Sequence, residues 1–322
     1  MLNVRKVGII GAGHVGSHCA LSLILQGVAD DLILVDVDEQ KAKSQALDCM
    51  DTISFLPHRA TIKAGTYEDM KDRDIIVISI GTIDNVSKDR LGELERSLKI
   101  VASFIPKVMA SGFNGYFVVI TNPVDIITHF IQQLSGLPYN RVIGTGTGLD
   151  SARLRRILSE ELDIDAKSIQ AFMLGEHGNS QVAALSCAYV NGKKLSEYIK
   201  ERAHKFENID FEAIEAKTAA TGWDIYVGKQ STEFGIACTC TDIIRAIYHD
   251  EKKVMPCSAF LQGEYGARGF YAGVPVVIGK NGIEEIIELP INNKEREKLN
   301  KTFNIISHHI TLGKTFLDSE ID

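Results

Sequence analysis

Apolar residues recur along the first half of the chain in two alternating rhythms. Short aliphatic runs at 6–10, 32–35, 75–79, 116–120 and 142–144 predict strands, and the stretches between them, 15–26, 39–49, 96–110 and 124–135, carry the three-and-four spacing of amphipathic helices. Within the strand runs apolar residues are consecutive rather than alternate, as expected of strands covered on both faces. Strand and helix alternating in this way predict βαβ units and a doubly wound α/β domain with a parallel sheet.

After Asp150 the rhythm changes. A helix is expected over 151–162, then an apolar stretch at 169–174 and a strand pair at 182–190 that turns at Asn191-Gly192. Helices over 211–226 and 233–248 precede strands at 254–261, 274–278 and 283–289, and a last helix starts near Asn293. Hairpin signals followed by late helices describe an α+β unit. The expected organisation is therefore a Rossmann domain over 1–148 followed by an α+β substrate domain over 149–322. No Pro/Gly/Ser-rich linker separates them, so they are expected to share an interface.

Composition narrows the classes. With 45% hydrophobic and 24% charged residues in 322, the chain is ordinary globular protein. A formal charge of -7 and scattered lysines and arginines offer no stripe for a phosphate backbone, which argues against nucleic acid. Neither a secretory leader nor a membrane span is expected. Six dispersed cysteines read as reduced thiols in a cytoplasmic protein, and Cys238-Thr239-Cys240 lacks zinc spacing, so no metal is expected.

Gly11-Ala12-Gly13-His14-Val15-Gly16 follows the first strand directly and opens the first helix, the context in which a G-x-G-x-x-G match acquires meaning. Gly11 permits the tight turn, Gly13 lets backbone approach a pyrophosphate, and Gly16 lets helix and sheet pack closely. Asp36 stands at the end of the second strand, about twenty residues on, where a carboxylate accepts from the adenosine ribose. Asp36 and Asp38 would repel a 2′-phosphate, so the expected cofactor is NAD rather than NADP.

Three polar segments fall at or just beyond strand ends: Thr121-Asn122-Pro123, Gly148-Leu149-Asp150-Ser151-Ala152-Arg153 and Gly175-Glu176-His177-Gly178. An imidazole can take up and return a hydroxyl proton near neutral pH, which makes His177 the acid–base candidate, with Asp150 to orient it. Singly, each has a plain alternative: His177 a turn residue, Asp150 a helix cap, Arg153 a solvated helical side.

Taken together, these segments resemble the L-lactate/malate dehydrogenase family, and within it the L-2-hydroxyisocaproate dehydrogenase-like branch. The similarity runs through nearly the whole chain, including Ile120-Thr121-Asn122-Pro123-Val124-Asp125, Gly175-Glu176-His177-Gly178-Asn179-Ser180 and Ile278-Gly279-Lys280-Asn281-Gly282. The resemblance implies His177 as proton donor and acceptor, Asp150 as its partner, Arg153 as the clamp for the substrate carboxylate, and Arg90 as the loop arginine that polarises the carbonyl. Asn122 and Thr232 would line the substrate site. His14, Val15, Gly81, Ile120 and Asn122 would join Gly11, Gly13, Gly16 and Asp36 around NAD. The implied reaction is reversible hydride transfer between a 2-hydroxy acid and its 2-oxo acid, in a homo-oligomer, dimer or tetramer.

Specificity is read from the loop. Six residues before the carbonyl-polarising arginine, lactate dehydrogenases carry glutamine and malate dehydrogenases arginine. This chain has Asp84, which would repel a second substrate carboxylate, beside the apolar Ile83 and Val86. Gly222-Trp223 also departs from the usual lactate dehydrogenase pocket. A branched aliphatic 2-oxo acid is therefore the expected substrate, with L-lactate dehydrogenase the alternative. The alternative from another class is a non-catalytic NAD-binding protein.

Overall fold

A computed structural model describes residues 4–81, 90–206 and 209–321. Its apolar runs become parallel strands β1 (Lys6–Ile10), β2 (Asp31–Val35), β3 (Thr61–Ala64), β4 (Ile75–Ile78), β5 (Tyr116–Val119) and β6 (Val142–Gly144). They lie in the order β6-β5-β4-β1-β2-β3, the arrangement of a dinucleotide-binding sheet, with the switch point between β1 and β4. Helices α1 (His14–Leu25), α2 (Glu39–Asp51), α3 (Arg90–Ala110) and α4 (Val124–Ser135) follow strands β1, β2, β4 and β5. The consecutive apolar residues of β1 and β4 are buried on both faces, as their sequence required.

Two features of this half differ from expectation. α3 begins at Arg90, six residues before the predicted start. β3 went unpredicted because it is an edge strand burying only Ile62, so its pattern carries almost no apolar signal.

The second half opens with α5 (Gly148–Leu162) and short strands β7 (Ile169–Gln170), β8 (Met173–Leu174), β9 (Val182–Ala183), β10 (Tyr189–Val190) and β11 (Lys193–Lys194). The expected strand pair at 182–190 is not a single hairpin. β9 pairs with β8, whereas the Asn191-Gly192 turn joins β10 to β11, with both turn residues at positive φ (47° and 89°). Then come α6 (Leu195–Lys200), α7 (Phe211–Lys229), α8 (Phe234–Tyr248), strands β12 (Lys253–Gln262), β13 (Arg268–Gly279) and β14 (Gly282–Ile286), and α9 (Asn293–Ile321).

β12, β13 and β14 do not form a separate sheet. They add in antiparallel fashion to β6, through Ser258 opposite Gly144, and extend the parallel sheet to nine strands among the described residues. α1 runs beside α8, where the Thr241 hydroxyl bonds that of Ser22 at 2.8 Å, and α9 returns to pack Gly313 against Phe130 and Leu98. One hydrophobic cluster consequently reaches from Val7 and Ile9 to Val274 and Ile306. No helix among the described residues is long and apolar enough to cross a membrane.

α4 carries an unusual buried group. His129 is 5% exposed among Phe130, Phe260 and Tyr271. The Gln133 amide donates to its Nε2 at 2.9 Å, and Nδ1 has no partner among the described residues. Burial pushes the imidazole down to about 4, so it folds neutral. Between that value and about 6.5 the unfolded chain binds the proton and the folded one does not, so stability is lost as pH falls through this window. The expected result is that His129→Phe loses about 2–3 kcal/mol less than the parent between pH ~7.5 and ~4.5 in denaturant titrations. Equal losses in the two proteins would refute it.

Candidate active site

The cofactor end of the site is built by backbone. Gly11 sits at φ 101°, and its N–H donates to the Val35 carbonyl at 2.8 Å, drawing the turn after β1 to the end of β2. A Cβ there would lie 2.2 Å from the Ser79 carbonyl, and one at Gly16 would lie 1.8 Å from that of Gly11. Only glycine closes this turn. At Gly13, by contrast, a Cβ would meet only the Lys41 ammonium, in ordinary contact, and otherwise space. No side chain caps α1, so the first-turn N–H groups, those of His14 and Val15 among them, have no intrahelical partners and face that space.

Asp36 is half-buried beside the turn. Its Oδ2 accepts from the Ala12 N–H at 2.7 Å and its Oδ1 from that of Asp38 at 3.0 Å, leaving a lone pair on each oxygen for ribose hydroxyls. Across the switch point, the Thr121 hydroxyl accepts from the Ile80 N–H at 2.9 Å, tying the end of β4 to that of β5. Gly81, Ile120 and Asn122 therefore lie at neighbouring strand ends. Gly81 and Asn122 are exposed, and the Ser97 hydroxyl donates to the Asn122 carbonyl at 3.0 Å.

A residue that motif reading missed stands here too. Lys41, on α2, places its Nζ 3.9 Å from where a Gly13 Cβ would be, and forms no ion pair among the described residues. Its signal in sequence is one lysine in a helix that also carries Lys43, and nothing in the spacing distinguishes it.

The chemical end is built from the first turn of α5. The Thr147 hydroxyl donates to the Met173 carbonyl at 2.7 Å, and the Ser151 hydroxyl accepts from the Met173 N–H at 2.9 Å. β8 is thereby held against α5, and the loop leaving β8 carries His177 to Asp150. Asp150 is 1% exposed and divides its carboxylate: Oδ2 lies 2.6 Å from His177 Nδ1, and Oδ1 accepts from Arg153 Nη1 at 3.0 Å. Nε2 of His177 and Nη2 of Arg153 have no partner among the described residues. The His177 side chain is a quarter exposed, so its free nitrogen can meet a ligand.

Electrostatics follow the geometry. Burial would lower the His177 imidazole, but the Asp150 carboxylate, with help from Asp125, holds it above its ordinary value. Burial likewise opposes ionisation of Asp150, and the charges of His177 and Arg153 outweigh it, leaving its carboxyl below the usual range. Gly222 on α7 faces this arginine: a Cβ there would come within 3.2 Å of Arg153 Nη1, so the helix offers bare backbone to the guanidinium.

Of the remaining candidates, Thr232 is half-buried between α7 and α8. Asp84 and the side chain of Arg90 lie outside the described residues, as do Ile83 and Val86.

Family models agree with this architecture. The model for the NAD-binding domain of lactate/malate dehydrogenase matches residues 5–144, and that for the α/β C-terminal domain of the same enzymes matches residues 147–317. The chain belongs to the lactate/malate dehydrogenase family, and its cofactor is NAD. It is 53% identical to an L-lactate dehydrogenase of Fusobacterium nucleatum over 98% of this chain and 99% of that one. L-lactate dehydrogenase 3 of Bacillus cereus is 44% identical over 97% and 99%. Among solved structures, the minor L-lactate dehydrogenase of Enterococcus mundtii in its ligands-bound form superposes with a TM-score of 0.92 at 38% identity, over 96% of this chain and 98% of that one. In this family member the uncapped α1 terminus, the open side of Gly13 and the free lone pairs of Asp36 fit a dinucleotide.

Lys41 generates a test. An ammonium at the pyrophosphate turn adds a screened attraction of about 1 kcal/mol. Lys41→Met is expected to weaken NADH binding by about three- to tenfold at low salt, a loss that shrinks at ~0.5 M salt, in fluorescence titrations. Undiminished binding at low salt would remove Lys41 from the site.

Proposed function

We propose that this protein is an L-lactate dehydrogenase, interconverting L-lactate and pyruvate. The observation that carries the proposal is the Asp150 carboxylate shared between His177 and Arg153, which sets a proton donor and a carboxylate clamp side by side. The branched aliphatic substrate expected from Asp84, Ile83 and Val86 rests on residues outside the described ones. The relatives, L-lactate dehydrogenases by name, favour lactate instead.

NAD, when bound, supplies the hydride acceptor or donor. The chain's own residues do the rest. Arg153 holds the substrate carboxylate through the edge that Asp150 leaves free, and Asn122 and Thr232 orient the carbonyl carbon. His177, whose imidazolium Asp150 favours, gives the Nε2 proton to the carbonyl oxygen as negative charge develops there. Arg90, by the family resemblance, adds a second donor to that oxygen. In the oxidative direction neutral His177 removes the hydroxyl proton. Exposed Leu47 on α2 and Phe55 just beyond it support the expected assembly as a dimer or tetramer.

His177→Asn is expected to bind NADH as the parent does while pyruvate reduction falls by several orders of magnitude. In the parent, reduction should decline as pH rises through the elevated His177 value, and lactate oxidation should rise over the same range. Turnover of His177→Asn at the parental rate would end the assignment of the proton donor.

Arg153→Lys keeps the charge and loses the fork. Its expected effect is a raised KM for pyruvate with unchanged NADH affinity, and a loss confined to NADH affinity would place Arg153 elsewhere. Substrate identity is decided by kcat/KM for pyruvate, 2-oxoisocaproate and oxaloacetate. Pyruvate should lead, and 2-oxoisocaproate ahead of pyruvate would replace lactate with the branched acid.

A further inference from the structure

Asp125 touches the centre of the site, yet so far it figures only as a charge beside His177. It stands in the first turn of α4, three residues beyond Asn122, and is 1% exposed. Its Oδ2 accepts from the main-chain N–H of His177 at 2.8 Å, and its Oδ1 accepts from the Ser258 hydroxyl on β12 at 2.5 Å. No lysine or arginine pairs with it among the described residues. A carboxylate buried with two uncharged donors is a poor source of stability, because its desolvation is only partly offset.

We propose that Asp125 is a positioning residue of the proton relay: it fixes the main chain of His177 to the α4 terminus that carries Asn122, while Asp150 fixes the ring. The proposal rests on the reading of His177 as proton donor. Each carboxylate does what the other cannot. The Asp150 bond to Nδ1 sets the orientation of the imidazole, yet it ties His177 to α5, in the substrate-binding half. The Asp125 bond ties the same residue to the strand-end segment 120–122, beside which the nicotinamide is expected. Ser258 pins the second oxygen of Asp125 and so holds the carboxylate plane.

The groups facing Asp125 are His177 and Glu176 from the loop and Ser258 from β12. Those facing His177 are Asp150, Asp125 and Arg153. Burial raises the Asp125 carboxyl to about 6, against the pull of Ser258 and His177, so the group is ionised at neutral pH and supports the imidazolium. The plain alternative is that Asp125 only complements the dipole at the start of α4. That role would leave kcat untouched, whereas the charge of Asp125 reaches the imidazole in either case.

Three measurements on the full-length protein decide between them: the ring titration of His177 by NMR, assigned with His177→Asn; NADH affinity by fluorescence; and kcat and KM for pyruvate. Asp125→Asn is expected to lower the His177 titration point by about half a pH unit or more. Asp125→Ala, which also removes the acceptor for the His177 N–H, should reduce kcat roughly tenfold or more while NADH affinity stays within about twofold. Ser258→Ala, which keeps the carboxylate but removes one donor, should shift the same titration in the same direction by less. If the Asp125 variants fail to fold, the titration and kcat of Ser258→Ala carry the test. An unmoved His177 titration, or a kcat within about twofold of the parent, in the variants that fold overturns the proposal. The NMR readout requires no substrate, so it fails independently of the proton-donor reading, which the turnover of His177→Asn decides.

Discussion

The Asp150 carboxylate is the contact on which the rest of the site depends, because it has two oxygens and two obligations. One oxygen holds the imidazole of His177 and the other the guanidinium of Arg153. Deep in the protein an ionised carboxylate is unstable unless its partners compensate, and here both do. Removing the charge would leave a buried arginine without its partner and an imidazole without an orienter, a loss of about 3–5 kcal/mol for a broken buried pair. The same contact divides the chemistry. Nε2 of His177 and the outer edge of Arg153 are what it leaves free, so under the proposed function a carboxylate and an adjacent oxygen would be recognised together.

Such a contact forms only because several backbones meet at one place. Gly175 and Gly273 exchange main-chain hydrogen bonds at 2.8 and 2.7 Å, joining the loop that carries His177 to β13. A Cβ at Gly273 would lie 2.6 Å from the Thr147 hydroxyl, and one at Gly175 would lie 2.3 Å from a methyl of Thr302 on α9. β13 belongs to the same sheet as the glycine turn after β1. The extended sheet is thus the rigid element that registers His177 and Asp150 to the cofactor end.

The parts of this arrangement legible in the sequence are those written in local spacing. The glycine turn, the interval to Asp36 and the three-residue step from Asp150 to Arg153 are all readable because each lies within one βαβ unit or one helical turn. His177 was readable from its segment, but its pairing with Asp150 came from the family resemblance and the roles of strand ends. Asp125, Lys41 and Gly222 were not legible in function. The contacts of Asp125 span 52 and 133 residues, and an aspartate at a helix start already has a sufficient local explanation. Gly222 stood out only as an odd pocket residue, and its proximity to Arg153 depends on how α7 packs against α5. The same limit explains the continuous sheet: one residue pair, Ser258 and Gly144, joins β12 to β6, and no periodicity announces it.

A proton donor for a 2-oxo acid must be charged in one direction of reaction and neutral in the other, so its affinity for the proton has to lie near working pH. For His177, the proposed donor, that affinity is a balance. Burial and the guanidinium of Arg153 disfavour the imidazolium, and the carboxylates of Asp150 and Asp125 favour it. Because Arg153 lies on the same carboxylate as His177, the charge proposed to clamp the substrate also offsets part of the charge that raises the histidine. A substrate carboxylate arriving at Arg153 would neutralise that guanidinium and tilt the balance further toward imidazolium. Binding of a 2-oxo acid would then strengthen the protonated state that its own reduction requires, which couples recognition to proton readiness through a single buried aspartate.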